Sequence, residues 1–238
     1  MLSRLDDAFT AQKQFSASAA HELRTPLAVM QTNLEVFARK KTPTIEEYQD
    51  IFGMIQNQTE RLSHLSEVLL DMTGIQSVER SDFISLAELT DEVCCDLASI
   101  ADQKKVELIQ EEGDCTVTGS YLLLYRAVYN LVENAIKYNH SGGKVTVKIS
   151  QTKALPAAHS KPADYALVEV TDTGIGISPE YQEKIFAPFF RVDKSRSRAM
   201  GGAGLGLALV AEIARQHGGQ VKVLASSKKG STIALMLP

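Results

Sequence analysis

Apolar residues in the first part of the chain recur every three or four positions. Leu5, Phe9, Phe15, Ala19, Leu23, Leu27, Met30, Leu34 and Phe37 form one such stripe, with a polar interruption at Gln12. This spacing predicts a long amphipathic helix. Lys40-Lys41-Thr42-Pro43 breaks the pattern, Thr44 stands in an N-cap position, and Glu46 and Glu47 fall in the turn that follows. A second stripe then runs through Tyr48, Ile51, Ile55, Leu62, Leu65, Leu69 and Met72. The expected unit is a helical hairpin. Two helices with one apolar stripe each bury little alone, so pairing two hairpins into a four-helix bundle is the simplest way to cover both stripes. Residues 1–74 are therefore expected to form a homodimer.

Beyond this point the periodicity alternates. Leu86–Ala101 and Tyr121–Lys137 have helical spacing, whereas Val106–Ile109, Lys144–Ile149, Tyr165–Thr171, Gln220–Leu224 and Ser231–Leu237 alternate apolar and polar residues as half-buried strands do. The Ala/Pro/Lys stretch from Gln151 to Asp164 has no period and is expected to be a long exposed hairpin loop. Glycine usage shifts in the same place as the pattern: residues 1–78 hold only Gly53 and Gly74, and the other thirteen lie between Gly113 and Gly230. The expected fold is α+β, with an N-terminal two-helix domain over residues 1–78 and an α/β sandwich over 79–238. The hinge between them is expected in Leu70–Ser85.

Composition narrows the function classes. With 238 residues, 44% hydrophobic and 23% charged, the chain is too apolar for disorder as its main state. A formal net charge of -4 excludes the strongly basic surface of a direct nucleic-acid binder. Three cysteines, two of them adjacent at Cys94 and Cys95, make neither a disulfide framework nor a zinc spacing and fit a reducing compartment. No apolar run approaches the ~20 residues of a membrane helix, and Met1-Leu-Ser-Arg-Leu-Asp-Asp has no secretory h-region.

Four clusters carry chemistry. The first is His21-Glu22-Leu23-Arg24-Thr25-Pro26 inside the first helix. It opens like the zinc-protease H-E-x-x-H pattern, but Thr25 occupies the place of the second histidine, so zinc hydrolysis is rejected. Pro26 removes the backbone bond to the Glu22 carbonyl and is expected to kink the helix within a turn of His21. His21 and Glu22 lie off the apolar stripe and are expected to be exposed. An exposed neutral imidazole is a competent nucleophile near neutral pH, and an adjacent carboxylate can orient it or take its proton. The second cluster, Asn130-Leu-Val-Glu-Asn134-Ala-Ile-Lys137-Tyr138, puts Asn130, Asn134, Lys137 and Tyr138 on one side of a helix. Amide oxygens suit a hydrated magnesium ion, and the lysine suits phosphate.

The third cluster, Asp172-Thr-Gly174-Ile-Gly176-Ile-Ser-Pro179, follows a strand pattern directly. Its spacing lacks the third glycine of a Rossmann turn, but a carboxylate at a strand end can accept a hydrogen bond from an exocyclic amine such as that of adenine. The fourth, Gly201-Gly202-Ala-Gly204-Leu-Gly206, passes into an apolar helix, and amides at such a helix start form an anion site. Phe186-Ala-Pro-Phe189-Phe190-Arg191, followed by Lys194, Arg196 and Arg198, is expected to be a mobile basic lid with an aromatic anchor. Walker A, H-R-D and D-F-G elements are all missing, so a nucleotide site here must be of another type.

With these boxes in this order, essentially the whole chain resembles the catalytic core of a two-component sensor histidine kinase. The resemblance implies a dimerisation and histidine-phosphotransfer domain followed by an ATP-binding domain of the gyrase/chaperone/kinase/mismatch-repair type. By that resemblance His21 is the phosphoacceptor, Glu22 its acid/base partner, and Thr25 the residue that positions water for dephosphorylating a response regulator. Asn134, with Asn130 nearby, would hold Mg2+; Lys137 and Arg191 would meet the phosphates of ATP; Tyr138 would pack near the nucleotide and Asp172 would read adenine. Gly174, Gly176, Gly202, Gly204 and Gly206 would shape the pocket and lid. Asn139-His140, after Tyr138, fall where the family varies, and His140 reads as a loop residue. The implied partners are a receiver domain and a second copy of the chain. A rival in the same superfamily is an ATPase with a glutamate one helical turn before the metal-binding asparagine; that slot here is Asn130, which favours kinase chemistry. A nucleotide-binding scaffold without turnover is the second rival, opposed by the intact His21 and the full set of boxes. Because the family usually carries an upstream sensor and membrane span, Leu2–Phe9 reads as the end of a coiled linker. The core is then expected on the cytoplasmic side, reaching the membrane only through an upstream segment outside this sequence.

Overall fold

The computed structural model describes residues 2–75, 78–154, 163–192 and 203–238. The chain divides into two compact units, one built on the stretch up to Asp71 and the other taking up the chain from Met72.

The first unit consists of α1 (Leu2–Ala38) and most of α2 (Ile45–Gly74). The start of α2 is set by a capping box. The Thr44 amide donates to Glu47 Oε2 at 3.1 Å, and the Glu47 amide donates to Thr44 Oγ1 at 3.3 Å, so two amides left without helical partners are satisfied reciprocally. Across the turn, the Phe37 and Tyr48 rings meet edge to face at 5.0 Å. Helix α1 continues through Pro26, so the proline does not end it. The apolar stripes are only partly covered: Leu65 and Val68 are buried, whereas Leu27 is 52% and Phe52 68% exposed.

The second unit begins with a short ribbon in which β1 (Asp82–Ser85) pairs antiparallel with β3 (Thr116–Gly119). A five-stranded sheet follows in the order β2 (Glu107–Gln110), β4 (Lys144–Ala154), β5 (Ala163–Asp172), β7 (Gly230–Leu237), β6 (Gln220–Ser227). The β2–β4 pair is parallel and the others are antiparallel. Helices α3 (Leu86–Lys104), α4 (Tyr121–Lys137) and α5 (Gly206–Gln216) pack against this sheet, with α4 between the other two. The core lies between these layers. From α4 it takes Leu124, Val128, Leu131 and Ile136, and from the sheet Val145, Val147, Val168 and Leu235, all essentially inaccessible to water. Lys144 and Lys148, which alternate with the buried valines on β4, are exposed, as expected of a sheet covered on one face.

Two expectations change. Both described ends of the segment from Gln151 to Asp164 are strand rather than loop: β4 runs to Ala154, β5 starts at Ala163, and Ala154 pairs with Ala163. Backbone pairing carries the ladder past the point where side-chain alternation stops, and residues 155–162 lie outside the described ones. Second, α2 stays helical to Gly74, so the first residues of the expected hinge belong to the helix; Gln76 and Ser77 are outside the described residues. Among the described residues no helix is long and apolar enough to cross a membrane.

Candidate functional site

In the first unit His21 is exposed on α1, as expected. Glu22 is not. Its Oε2 lies 3.4 Å from Arg61 Nη2 on α2, and the two side chains are only 14% and 15% exposed. The correction has a simple cause: successive helical residues point about 100° apart, so when His21 faces solvent, Glu22 turns into the hairpin. Thr25 Oγ1 donates to the His21 carbonyl at 3.0 Å, and Pro26 beside it is buried. One turn of α1 thus joins an exposed imidazole, a restrained carboxylate and a hydroxyl.

In the second unit the expected residues converge around the solvent-facing side of α4. Asn130 Nδ2 donates to the Arg126 carbonyl at 2.8 Å, and Asn134 Nδ2 donates to the Asn130 carbonyl at 2.7 Å. Each amide therefore spends its nitrogen on the helix, which fixes which end is oxygen and leaves a hard carbonyl-type donor on each residue. That donor set fits a magnesium ion that keeps most of its waters. The start of α5 comes up against this face, since a Cβ on Gly206 would lie 2.5 Å from Asn130 Oδ1. Lys137 closes α4, and its carbonyl accepts from the Lys104 ammonium, whose pKa is lowered by burial and by the neighbouring Lys137 charge.

Asp172 ends β5, where it pairs with Val145 on one side and Ser231 on the other. Burial raises its carboxyl above the usual 3.8, against the opposing pull of backbone donors at Gly174 and Ser231. The Gly174 amide reaches Asp172 Oδ1 at 2.7 Å. A side chain at Gly174 would put its Cβ 2.4 Å from the Tyr138 carbonyl, so glycine is needed for the turn to approach the end of α4. Gly176 lies closer still to the end of β6, where a Cβ would stand 1.8 Å from the Ser227 carbonyl.

The aromatic box sits beside the remaining glycines. The Phe189 amide donates to the Gly204 carbonyl at 2.8 Å, and both residues have left-handed backbones, φ +62° and +73°. For Phe189 that conformation costs on the order of 1 kcal/mol, compensated by this pairing. Phe190 packs its ring 5.7 Å from Tyr181, and half-buried Arg191 follows. Gly202, Lys194, Arg196 and Arg198 lie outside the described residues.

Sequence reasoning missed four residues that support these groups. Arg61 shares no local spacing with Glu22 and is found only once the hairpin register is known. Asn139, passed over after Tyr138, is 8% exposed and bonded to Thr173 and Lys144. Its signal was an asparagine between a helix end and the Gly142-Gly143 pair, a place where a side-chain amide commonly ties a turn. Ser231 and Ser226, hydroxyls 2.9 Å apart, brace the Asp172 turn from β7 and β6, and Ser226 Oγ also accepts from the Ile177 amide at 2.7 Å.

Comparison with known proteins follows the same division. Residues 11–77 match the His Kinase A (phospho-acceptor) domain, and residues 119–238 match the histidine kinase-, DNA gyrase B- and HSP90-like ATPase domain. The sensor histidine kinase RppB of Synechocystis is 33% identical over 97% of the chain and 50% of its own length. The chain spans about half the length of the curated relatives it matches. Among solved structures, the histidine kinase AdeS of Acinetobacter baumannii superposes with TM-score 0.67 at 22% identity, covering 91% of this chain and 96% of that one. The kinase ThkA in complex with the response regulator TrrA superposes with TM-score 0.72 at 21% identity, covering 98% of this chain and 63% of that one.

Proposed function

From the premise that the chain belongs to the histidine kinase family, with a phospho-acceptor domain and a gyrase- and HSP90-like ATPase domain in series, we propose that it phosphorylates its own His21 from ATP and passes the phosphoryl group to an aspartate of a response-regulator receiver domain. The observation that carries this reading is the convergence of two distant segments, the Asp172 turn and the glycine start of α5, on α4 with its asparagine face. Asp172 would accept from the adenine amine, Lys137 and Arg191 would meet phosphate charge, and the α5 amides would receive phosphate oxygens. Asn134 and Asn130 would hold Mg2+, which supplies neutralising charge at the phosphates.

Phosphoryl transfer asks little covalent work of a protein beyond an in-line nucleophile and a closed, charge-neutralised site. His21 supplies the attacking ring nitrogen, the bond to the leaving ADP oxygen breaks, and Glu22 is the carboxylate that orients the ring or accepts its other proton. Transfer onward then regenerates neutral His21. ATP hydrolysis as the main activity is disfavoured by Asn130, because an amide cannot take a proton from water. Residues 1–74 are proposed to form a homodimer, supported by the exposed apolar side chains of α1 and α2, and the ATP requirement together with the thiol content fits the cytoplasmic side of a membrane.

Phosphatase activity on the regulator is part of the proposal, with Thr25 positioning water. The experiment is to load the chain from labelled ATP, add a receiver domain, and follow label on both. Label should leave the chain and appear on the receiver; label that stays on the chain with every receiver tried contradicts the transfer. Thr25→Ala should load and transfer normally but clear phosphoreceiver at least about tenfold more slowly, a typical loss for one water-positioning group. Equal clearance rates would remove Thr25 from that role.

A further inference from the structure

The end of α4 and the turn after β5 are joined by a closed hydrogen-bonded ring through three residues. The Lys144 amide donates to Thr173 Oγ1 at 2.8 Å, and Thr173 Oγ1 donates to Asn139 Oδ1 at 3.2 Å. Asn139 Nδ2 donates to the Lys144 carbonyl at 3.0 Å, and the Thr173 amide donates to that same carbonyl at 3.1 Å. The amide orientation is fixed by its partners, because the Lys144 carbonyl can only accept and the His140 amide, 3.0 Å from Asn139 Oδ1, can only donate. His140 Nδ1 also lies 2.9 Å from that oxygen.

The residues on either side of this ring belong to different halves of the site. On one side α4 carries Asn130, Asn134 and Lys137, which in the proposed reading would meet phosphate and metal. On the other, Asp172 and Gly174 would meet the base. The β4–β5 ladder holds the Asp172 backbone independently through its pairing with Val145, so the ring is not needed to form the sheet. It sits where the helix end must keep a fixed distance from the turn, and there it adds to one backbone bond, from the Ile175 amide to the Tyr138 carbonyl at 3.3 Å.

We propose that Asn139 and Thr173 form a positioning latch that sets the spacing between the phosphate half and the base half of the nucleotide site. The proposal rests on the reading of this site as a nucleotide site. A latch of this kind acts only on ligands that engage both halves at once: each half keeps its own groups when the latch opens, but the two no longer stand at the separation one molecule needs. Adenosine, which uses the Asp172 half, is then insensitive to the latch. Mg·ADP, which spans both, is not.

The test uses the full chain and compares adenosine with Mg·ADP by calorimetry or ligand-observed NMR. In Asn139→Ala and in Thr173→Val the affinity for Mg·ADP should fall by roughly tenfold or more, while that for adenosine stays within about twofold, the scale expected for losing one or two hydrogen bonds that fix a spacing. Thr173→Ser, which keeps the hydroxyl, should restore Mg·ADP binding. Thr173 is exposed, so Thr173→Val keeps the test sharp if Asn139→Ala fails to fold. Equal losses for both ligands, or no loss for either, overturn the latch. A wild-type chain that binds neither ligand overturns the nucleotide site itself, an outcome distinct from the other two.

Discussion

Asp172, the proposed adenine contact, illustrates how a buried carboxylate works against the fold that holds it. Its carboxyl is raised by burial, so the folded chain binds its proton more tightly than the unfolded chain does. Stability from this group is therefore largest at low pH and is lost as pH rises through the raised pKa, leaving the full penalty in place at neutrality. Asp172→Asn removes that penalty and keeps an oxygen for the Gly174 amide. It should melt at the same or a slightly higher temperature at pH 7 while losing nucleotide binding, measured by thermal unfolding and calorimetry side by side. A variant that unfolds, or one that binds nucleotide as before, contradicts the assignment. At this scale the local geometry was legible wherever one motif holds both a candidate group and its support, as in Asp172 with Gly174 or Asn130 with Asn134. It was not legible where support comes from another element. Glu22 looked exposed because the apolar stripe gives a direction for each residue of α1 but not the register of α2, which brings in Arg61.

Elements followed from periodicity when they were long enough to show it. Helix α4 occupies Tyr121–Lys137, the span its spacing predicts, because its apolar face is continuous across nearly five turns. Strands β1 and β3, four residues each, carry too little alternation to stand out and exist through their pairing with each other. Their junction with the helices is held by His217 at the end of α5. The Ser120 amide, at the start of α4, donates to His217 Nε2 at 3.1 Å, and His217 Nδ1 lies 2.8 Å from the Ile213 carbonyl. Only the neutral ring with its proton on Nδ1 satisfies both partners. Burial lowers its pKa below 6.5, with the Arg80 charge adding to the effect and the Ile213 bond opposing it. A base lowered in this way contributes stability that is complete above about pH 6.5 and is lost as pH falls through the folded value. His217→Ala should cost about 1–3 kcal/mol in denaturant unfolding at pH 7.5, where an amide is left unpaired, and progressively less as the pH is lowered. A difference between the two proteins that does not change with pH would show that His217 does not titrate in this role.

For the molecule as a whole, the division of labour was readable early, since glycine content and hydropathy period change together near the end of the helical hairpin. What the sequence leaves open is how far each half is complete alone. The α/β unit closes its own core, with α4 packed between two helices and a sheet. The hairpin does not, which is why a second copy belongs in the account. The proposed phosphoacceptor and nucleotide groups also lie in different units, His21 in the first and Asn134 and Asp172 in the second, so the central claim is that one chain joins them in a reaction. The most direct measurement is incubation of the full chain with γ-labelled ATP and magnesium, followed by acid and base treatment of the denatured product. A phosphohistidine at His21 predicts label that is stable to base, labile to acid and missing from His21→Gln. Label that persists in His21→Gln would contradict the phosphoacceptor assignment, and free phosphate released without any labelled protein would make the chain an ATPase instead.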